Sequence, residues 1–202
     1  MTATKRTYER LAILYDLDDA MCFGLKQMWR KKIINDLNVE KGQFILDIAT
    51  GTGRAAKILS KRAEHAQIVA IDFSKNMLSI ARIRNRNRDN ITFILCDAAH
   101  LPFKDEIFDV ASCMCGMDTV DDPEGVMSEA TRVLKKRKRF GMMYFREPKG
   151  RVKHLFAPLM KFYDLVWKTG YVDLSTIIAD QPLTIVKNRD LILADALVVE
   201  KC

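Results

Sequence analysis

Three aspartates and two glycines are spaced as a nucleotide-like cofactor would need them. In Leu46-Asp47-Ile48-Ala49-Thr50-Gly51-Thr52-Gly53 a short apolar run leads into two glycines. Glycines between a strand and a helix let a ligand approach the backbone closely, and the helix start that follows offers free N–H groups. This suits a dinucleotide pyrophosphate or the amino-acid part of S-adenosylmethionine (SAM). Gly51, Gly53 and Ala56 also fit a loose GxGxxA fingerprint, and an ordinary tight turn would use the same residues. Asp72 follows Ile68-Val69-Ala70-Ile71, about 20 residues on, where an acid can accept two ribose hydroxyls. A helix-capping Asp is the plainer reading of that position. Asp47 and Asp97 separate the two cofactors. A carboxylate at Asp47 favours the cationic amino group and sulfonium of SAM and repels a pyrophosphate. Asp97-Ala98 ends a third apolar run, where a side chain can accept from the adenine amino group. SAM is therefore expected over a nicotinamide cofactor. Asp118, the fourth acid, follows a fourth such run.

Alternating strands and helices must hold these residues. Strands are expected at Phe44–Ile48, Ile68–Ile71, Ile91–Cys96, Phe108–Met114 and Phe140–Phe145. Helices are expected from Gly53 to about Ser60, from Lys75 behind the N-cap Ser74, and from Pro123 through Leu134. This alternation implies a parallel sheet covered on both faces, with ligands bound outside the carboxyl ends of its strands. Segments Leu183–Val186 and Ala196–Glu200 read as an antiparallel edge hairpin. Before the first strand, Tyr8, Leu11, Ala12 and Tyr15, then Leu25, Met28, Trp29, Ile33 and Leu37, recur at helical spacing. The expected architecture is one Rossmann-like α/β domain over 1–202, with a helical extension over 1–40. Within 150–182, an amphipathic stripe at Val152–Trp167 is a candidate substrate lid or membrane-facing element. A helix simply packed on the sheet is the plainer reading.

Composition sets further bounds. The 202 residues are 49% hydrophobic and 29% charged, ordinary for a globular protein. No apolar run is long enough to span a bilayer, and Met1 to Arg10 is too polar for a secretory signal. The five cysteines lack zinc-like pairing, so no metal is expected and a reduced, cytoplasmic setting is the default. The net charge of +7 is concentrated in Arg82, Arg84, Arg86 and Arg88 and in Lys135 to Arg139. Neither cluster carries the interleaved aromatics of a base-stacking platform, so a solvated surface is expected and nucleic acid is not. Oligomerisation is left open.

The chain resembles the ubiquinone/menaquinone biosynthesis C-methyltransferases over roughly residues 8 to 148. The resemblance is carried by Tyr15-Asp16, Gly24 and Trp29-Arg30, by the glycine motif, by Ala70-Ile71-Asp72-Phe73-Ser74 with Met77-Leu78, and by Asp97-Ala98, Leu101-Pro102-Phe103 and Phe108-Asp109. Arg132-Val133-Leu134-Lys135 and Glu147-Pro148 extend it. It implies a class I methyltransferase fold and a SAM site built from Asp47, Ala49, Gly51, Gly53, Asp72, Phe73, Met77, Asp97, Ala98 and Cys115. It also implies C-methylation of an electron-rich hydroxylated ring bearing a prenyl tail. A prenylated acceptor would make peripheral membrane contact useful.

The departures are local. A Phe-Gly-Leu-Arg-Asn-like sequence is usual after the fourth strand, and here it reads Cys115-Gly116-Met117-Asp118-Thr119. Lys136-Arg137-Lys138-Arg139 stands where two glycines usually follow, so the turn into the fifth strand must differ. A helix expected before the last hairpin looks absent, because Pro182 leads almost directly into it. Asp118, Tyr15 and His154 are the candidates for a base that would draw the ring hydroxyl proton. Asp118 reads equally well as a capping acid, Tyr15 as a packed aromatic and His154 as a solvent-facing histidine. The alternatives are a SAM enzyme acting on another small molecule or lipid headgroup at N or O, and a SAM-fold protein that binds without catalysis.

Overall fold

The computed structural model describes residues 3–12, 15, 24–145, 154, 161, 172–191 and 194–202. Seven strands form one sheet: β1 (Phe44–Ile48), β2 (Gln67–Asp72), β3 (Ile91–Leu95), β4 (Phe108–Met114), β5 (Leu134–Phe145), β6 (Leu183–Asp190) and β7 (Ala194–Lys201). Their order is β3-β2-β1-β4-β5-β7-β6. The first five are parallel, and β7 runs antiparallel to both β5 and β6. Helices α1 (Ala3–Leu11), α2 (Leu25–Asp36), α3 (Arg54–Arg62), α4 (Lys75–Arg84), α5 (Pro123–Val133) and α6 (Leu174–Ala179) complete the described elements. The expected α/β class with an antiparallel C-terminal edge is what forms.

The apolar strand runs sort into two cores because side chains alternate across a sheet. Ile45, Val110 and Met114 pack with Trp29 and Ile33 of α2, Leu37 at its C-cap, and Ala56 and Leu59 of α3. Leu46, Ile48, Ala111 and Cys113 pack with Val126, Met127 and Ala130 of α5 and Leu174 and Ile178 of α6. Local signals set the helix starts. Ser74 Oγ accepts from Met77 N at 3.1 Å. Asp122 caps α5 through Gly125 N at 2.8 Å, ahead of Pro123 in the first turn.

Two expectations are corrected. β5 begins at Leu134, not Phe140, and follows α5 directly. Its partner register jumps from Phe108↔Leu134 to Val110↔Arg139, so the basic run forms a bulge in one strand, with Arg137 at φ +57°. Carboxylates hold that run in place: Lys135 Nζ lies 2.9 Å from Asp109 Oδ1, and Arg139 Nε lies 3.3 Å from Glu200 Oε2. The helix that looked absent is α6, with Leu174, Ile177 and Ile178 buried and Asp173 at its N-cap. Three residues separate its end at Ala179 from Leu183, where β6 opens, which is why proline next to the strand read as helix-free. The stripe over Val152–Trp167 lies outside the described residues, apart from exposed His154 and Lys161. Among the described residues, no helix is long and apolar enough to cross a membrane, and no group of three His, Cys, Asp or Glu side chains could hold a metal.

Candidate functional site: a cleft at the switch in strand order

The sheet order reverses between β1 and β4, and ligands of open α/β sheets bind at such a point. Here the ends of β1, β2 and β3 and the loop after β4 enclose a cavity of about 110 Å³. Its walls include Ala49, Ile71, Asp72, Phe73, Asp97, Ala98 and Thr119. A smaller hollow shares Ala49, Asp72, Phe73 and Thr119 and adds Tyr8, Tyr15, Gly51, Met77 and Cys115. Eight of the ten expected cofactor residues thus border one continuous depression.

Asp72 organises it. Its Oδ2 accepts Gly51 N–H at 2.7 Å and its Oδ1 accepts Ser74 N–H at 2.9 Å, tying the glycine loop to the start of α4. A carboxylate has about four acceptor sites, so each oxygen keeps capacity for a ribose hydroxyl. Burial pushes its pKa up to about 6, against the pull of those two N–H groups. Ala49 and Cys115 sit at the ends of β1 and β4 with φ of +50° and +64°. Such conformations cost about 1–3 kcal/mol in non-glycine residues and concentrate at functional sites. Gly116 makes this crossing feasible, since a Cβ there would lie 2.6 Å from Ala49 Cβ and 2.7 Å from Cys113 Sγ.

The remaining two expected cofactor residues support the depression from behind. Asp47 is 0% exposed and borders neither hollow. It lies two residues from Ile45, so it faces α2 and α3. There Oδ2 accepts Thr50 Oγ1 and Oδ1 accepts Ser112 Oγ, each at 2.6 Å. Its side chain thus holds the glycine loop through Thr50 and ties it to β4 through Ser112, and direct contact with the cofactor cation stays an expectation. Burial lifts its pKa to about 6, against those hydroxyls and a smaller pull from Arg30. Gly53, likewise, sits in the interface between α3 and α4. A Cβ on it would meet Asn85 Nδ2 at 2.6 Å and Ala81 Cβ at 3.0 Å.

Of the three catalytic candidates, only Tyr15 borders the hollows. His154 is exposed and shares no wall with them. Asp118 is 3% exposed and borders neither hollow; its Oδ2 accepts Phe145 N–H at 3.3 Å and its Oδ1 has no hydrogen-bond partner. Asp118 is buried outside the walls of the hollows, while the neighbouring Thr119 lines them; the base role stays an expectation.

Sequence reasoning missed two groups here. Lys26, on α2, is 1% exposed, with Nζ 5.0 Å from the Phe145 ring centroid and 5.8 Å from that of Tyr15. Lys26 and Arg30 are four residues apart and share a helix face. Lys26 draws down the pKa of Asp118, and Arg30 that of Asp47. Glu9 is the second group. It receives Ser74 Oγ and, at 3.3 Å, Asn76 N, so α1 is docked on the N-terminus of α4 beside the cleft. The available signal for Lys26 was a cation in register with Trp29-Arg30. Glu9 carried none, since its partners lie 65 residues away or more.

Asp118 gives a pH-dependent prediction. Burial raises its folded pKa from 3.8 to about 6. Between these values the native state holds more protons than the unfolded state, so this group's contribution falls as pH rises and stays low above about 6. Asparagine does not titrate. The stability of Asp118→Asn relative to the parent should therefore rise by about 2–3 kcal/mol from pH 4 to pH 8. Urea unfolding of both proteins at the two pH values measures this, and an unchanged difference would contradict the burial argument.

Sheet order, glycine loop and the acid ending β2 together define a class I SAM-dependent methyltransferase fold. A SAM-dependent methyltransferase from Aquifex aeolicus has that fold, with a TM-score of 0.70 at 16% identity over 86% of this chain and 89% of that one. The chain belongs to the ubiE/COQ5 methyltransferase family, which it matches over residues 2–172. It is 34% identical over 166 residues to a demethylmenaquinone methyltransferase of Thermotoga maritima, covering 80% of this chain and 69% of that protein. It is 34% identical over 162 residues to the ubiquinone/menaquinone biosynthesis C-methyltransferase UbiE of Serratia proteamaculans, covering 78% of this chain and 62% of that protein. The chain therefore spans roughly two thirds of the length of these relatives.

Proposed function

We propose that the chain transfers a methyl group from SAM to a ring carbon of a prenylated aromatic or quinone precursor. The observation that carries this reading is family membership joined to a cleft at the switch in strand order, lined by Asp72, the acid that would accept the ribose hydroxyls. The cleft has the chemistry SAM requires. Asp72 keeps acceptor capacity for the ribose, and Asp97 and Ala98 stand where the adenine amino group is expected. A Cβ on Gly51 would project toward Tyr15 Cε1 at 4.0 Å, into the smaller hollow, so glycine leaves that space to the ligand. SAM supplies the electrophilic methyl carbon.

The protein's task is then to hold a nucleophilic ring carbon in line with it. Tyr15 borders the hollow, and its phenol oxygen can accept a hydrogen bond from the ring hydroxyl, which raises electron density on the ring. Because such an acceptor is lipid-soluble, peripheral membrane contact belongs to the same reading.

The test offers the protein SAM and a reduced, short-tailed demethylmenaquinone, with product read by mass spectrometry. A ring-methylated product is expected, and Tyr15→Phe should lower kcat by about tenfold, the worth of one hydrogen bond. Turnover confined to water-soluble amines or phenols would replace this reading with N- or O-methylation. Binding of S-adenosylhomocysteine with no turnover would replace it with a non-catalytic role.

A further inference from the structure

SAM carries a positive charge on sulfur, and that charge disappears when the methyl group leaves. The two hollows of the cleft fix where the sulfur would go. Asp97 and Ala98 belong to the larger one, while Asp72 and Phe73 line both. With adenine beside Asp97 and the ribose on Asp72, sulfur and the methionine chain continue into the smaller hollow, toward Gly51. This placement rests on the SAM reading above.

The smaller hollow is walled by aromatic rings. Tyr8 of α1, Tyr15 and Phe73 all line it. Asp72 is the carboxylate among its described lining residues, and both Asp72 oxygens already accept backbone N–H groups. The two tyrosine rings lie 6.3 Å apart between centroids and are tilted by 56°, a wedge and not a flat stack. Tyr8 is 9% exposed and packs with Ala12 and Met77, and Tyr15 and Phe73 pack against the same cluster. The hollow measures about 20 Å³, so a group that enters it touches the rings.

An aromatic face carries negative charge density and attracts a cation within about 6 Å of its centroid. Lys26 shows this for one of the three rings, with Nζ 5.8 Å from the Tyr15 centroid. A sulfonium has no N–H or O–H with which to bond a carboxylate. Quaternary ammonium ions share that property, and aromatic cages recognise them.

We propose that Tyr8, Tyr15 and Phe73 form an aromatic cage that reads the charge on the cofactor sulfur. The cage favours the charged methyl donor over the neutral thioether product. On transfer the methyl carbon breaks from sulfur and bonds to the acceptor carbon. Sulfur keeps the electron pair, and the acceptor carbon gives up a proton to water. The cation that the rings attract is then gone, which favours release of S-adenosylhomocysteine. Tyr15 shares its ring with Lys26, so Tyr8 carries the larger part of the preference. This role belongs to the Tyr15 ring, and the acceptor role to its oxygen.

Calorimetric titration of the whole chain compares SAM and sinefungin, whose ammonium replaces the methylated sulfur, with neutral S-adenosylhomocysteine. The readout is the ratio of charged to neutral affinity, from which packing losses common to the ligands cancel. Tyr8→Leu should lower that ratio about fivefold and Tyr15→Leu about twofold. Tyr8→Phe and Tyr15→Phe keep the rings and should keep the ratio, even as Tyr15→Phe lowers kcat. Phe73→Leu removes a ring without altering α1 and should cost about threefold, so it decides the matter if Tyr8→Leu unseats that helix. Ratios unchanged in the leucine variants would overturn the cage alone. So would a ratio lost only in Asp72→Asn, which assigns the charge to the carboxylate. A folded parent that does not bind S-adenosylhomocysteine would overturn the SAM reading and the cage with it.

Discussion

Replacing Asp72 by asparagine will weaken binding of S-adenosylhomocysteine by at least about 50-fold, from the loss of charged hydrogen bonds to the ribose. The substitution preserves shape, so the loss must come from charge and donor geometry. In the parent, both oxygens already accept backbone N–H groups, from Gly51 at 2.7 Å and Ser74 at 2.9 Å. An asparagine must aim its NH2 at one of them, setting donor against donor. Either the glycine loop or the first turn of α4 then moves, and the ribose meets one acceptor instead of two. The pH dependence carries its own signature. Burial places the free carboxyl near a pKa of about 6. Hydroxyl donors favour the ionised form, so parent affinity should be flat above pH 7 and decline as pH falls through about 6. The asparagine variant should be weak and flat. Calorimetric titrations at pH 5.5 and 8 read both effects. An asparagine variant within threefold of the parent at pH 8 would show that Asp72 is a loop-holding acid only.

That comparison shows where the sequence stops being legible. Asp47 and Asp72 are both acids at strand ends beside the glycine loop. Their types and spacing favour the same expectation, contact with the cofactor. What separates them is which face of the sheet each side chain takes. Asp47 alternates with Leu46 and Ile48 and so falls on the α2–α3 side, opposite Ser112 in the neighbouring strand. The strands themselves were readable where apolar residues met clear boundaries, as in Phe44–Ile48 and Phe108–Met114, both matched residue for residue. The start of β5 was not. Lys135 to Arg139 looks like a solvated turn, and the neighbours that make it part of a strand, β4 and β7 with Asp109 and Glu200, come from distant positions.

The buried cations Lys26 and Arg30 follow the same logic. Lysine and arginine are almost never fully buried unless partnered, so nothing local marks them as core. Their partners are the acids that the sequence offered as chemistry. Arg30 offsets Asp47, which holds the glycine loop, and Lys26 offsets Asp118, beside the strained Cys115 turn. One face of α2 thus supplies the counter-charge for two of the three carboxylates buried around the cleft. Asp118-Thr119, the departure from the family's Arg-Asn, is in this light a charge reversal balanced from within the chain. It need not mark a lost site.

Gly53→Ala will destabilise the protein by about 2–4 kcal/mol, and most of that loss will come from packing. Gly53 has φ +75°, and an alanine there pays roughly 1–2 kcal/mol for the left-handed conformation. It also drives a Cβ to 2.6 Å from Asn85 Nδ2 and 3.0 Å from Ala81 Cβ, on the buried side of α4. Gly42 separates the two costs, because it has the same φ of +75° with nothing within 4 Å of an added Cβ. Gly42→Ala should therefore show only the conformational term, about 1 kcal/mol. Asn85 supplies the second control. Its Nδ2 donates to Gly53 O at 3.2 Å and to Ala81 O at 2.9 Å, so Asn85→Ala is itself destabilising. In the double variant the space it vacates should return about 1 kcal/mol relative to additivity. Urea unfolding of the four variants decides the matter. If Gly53→Ala costs no more than Gly42→Ala, the contact between α3 and α4 is not what fixes the loop. If the excess and the coupling both appear, the second glycine of the motif positions two helices, and its place in the motif is set by packing.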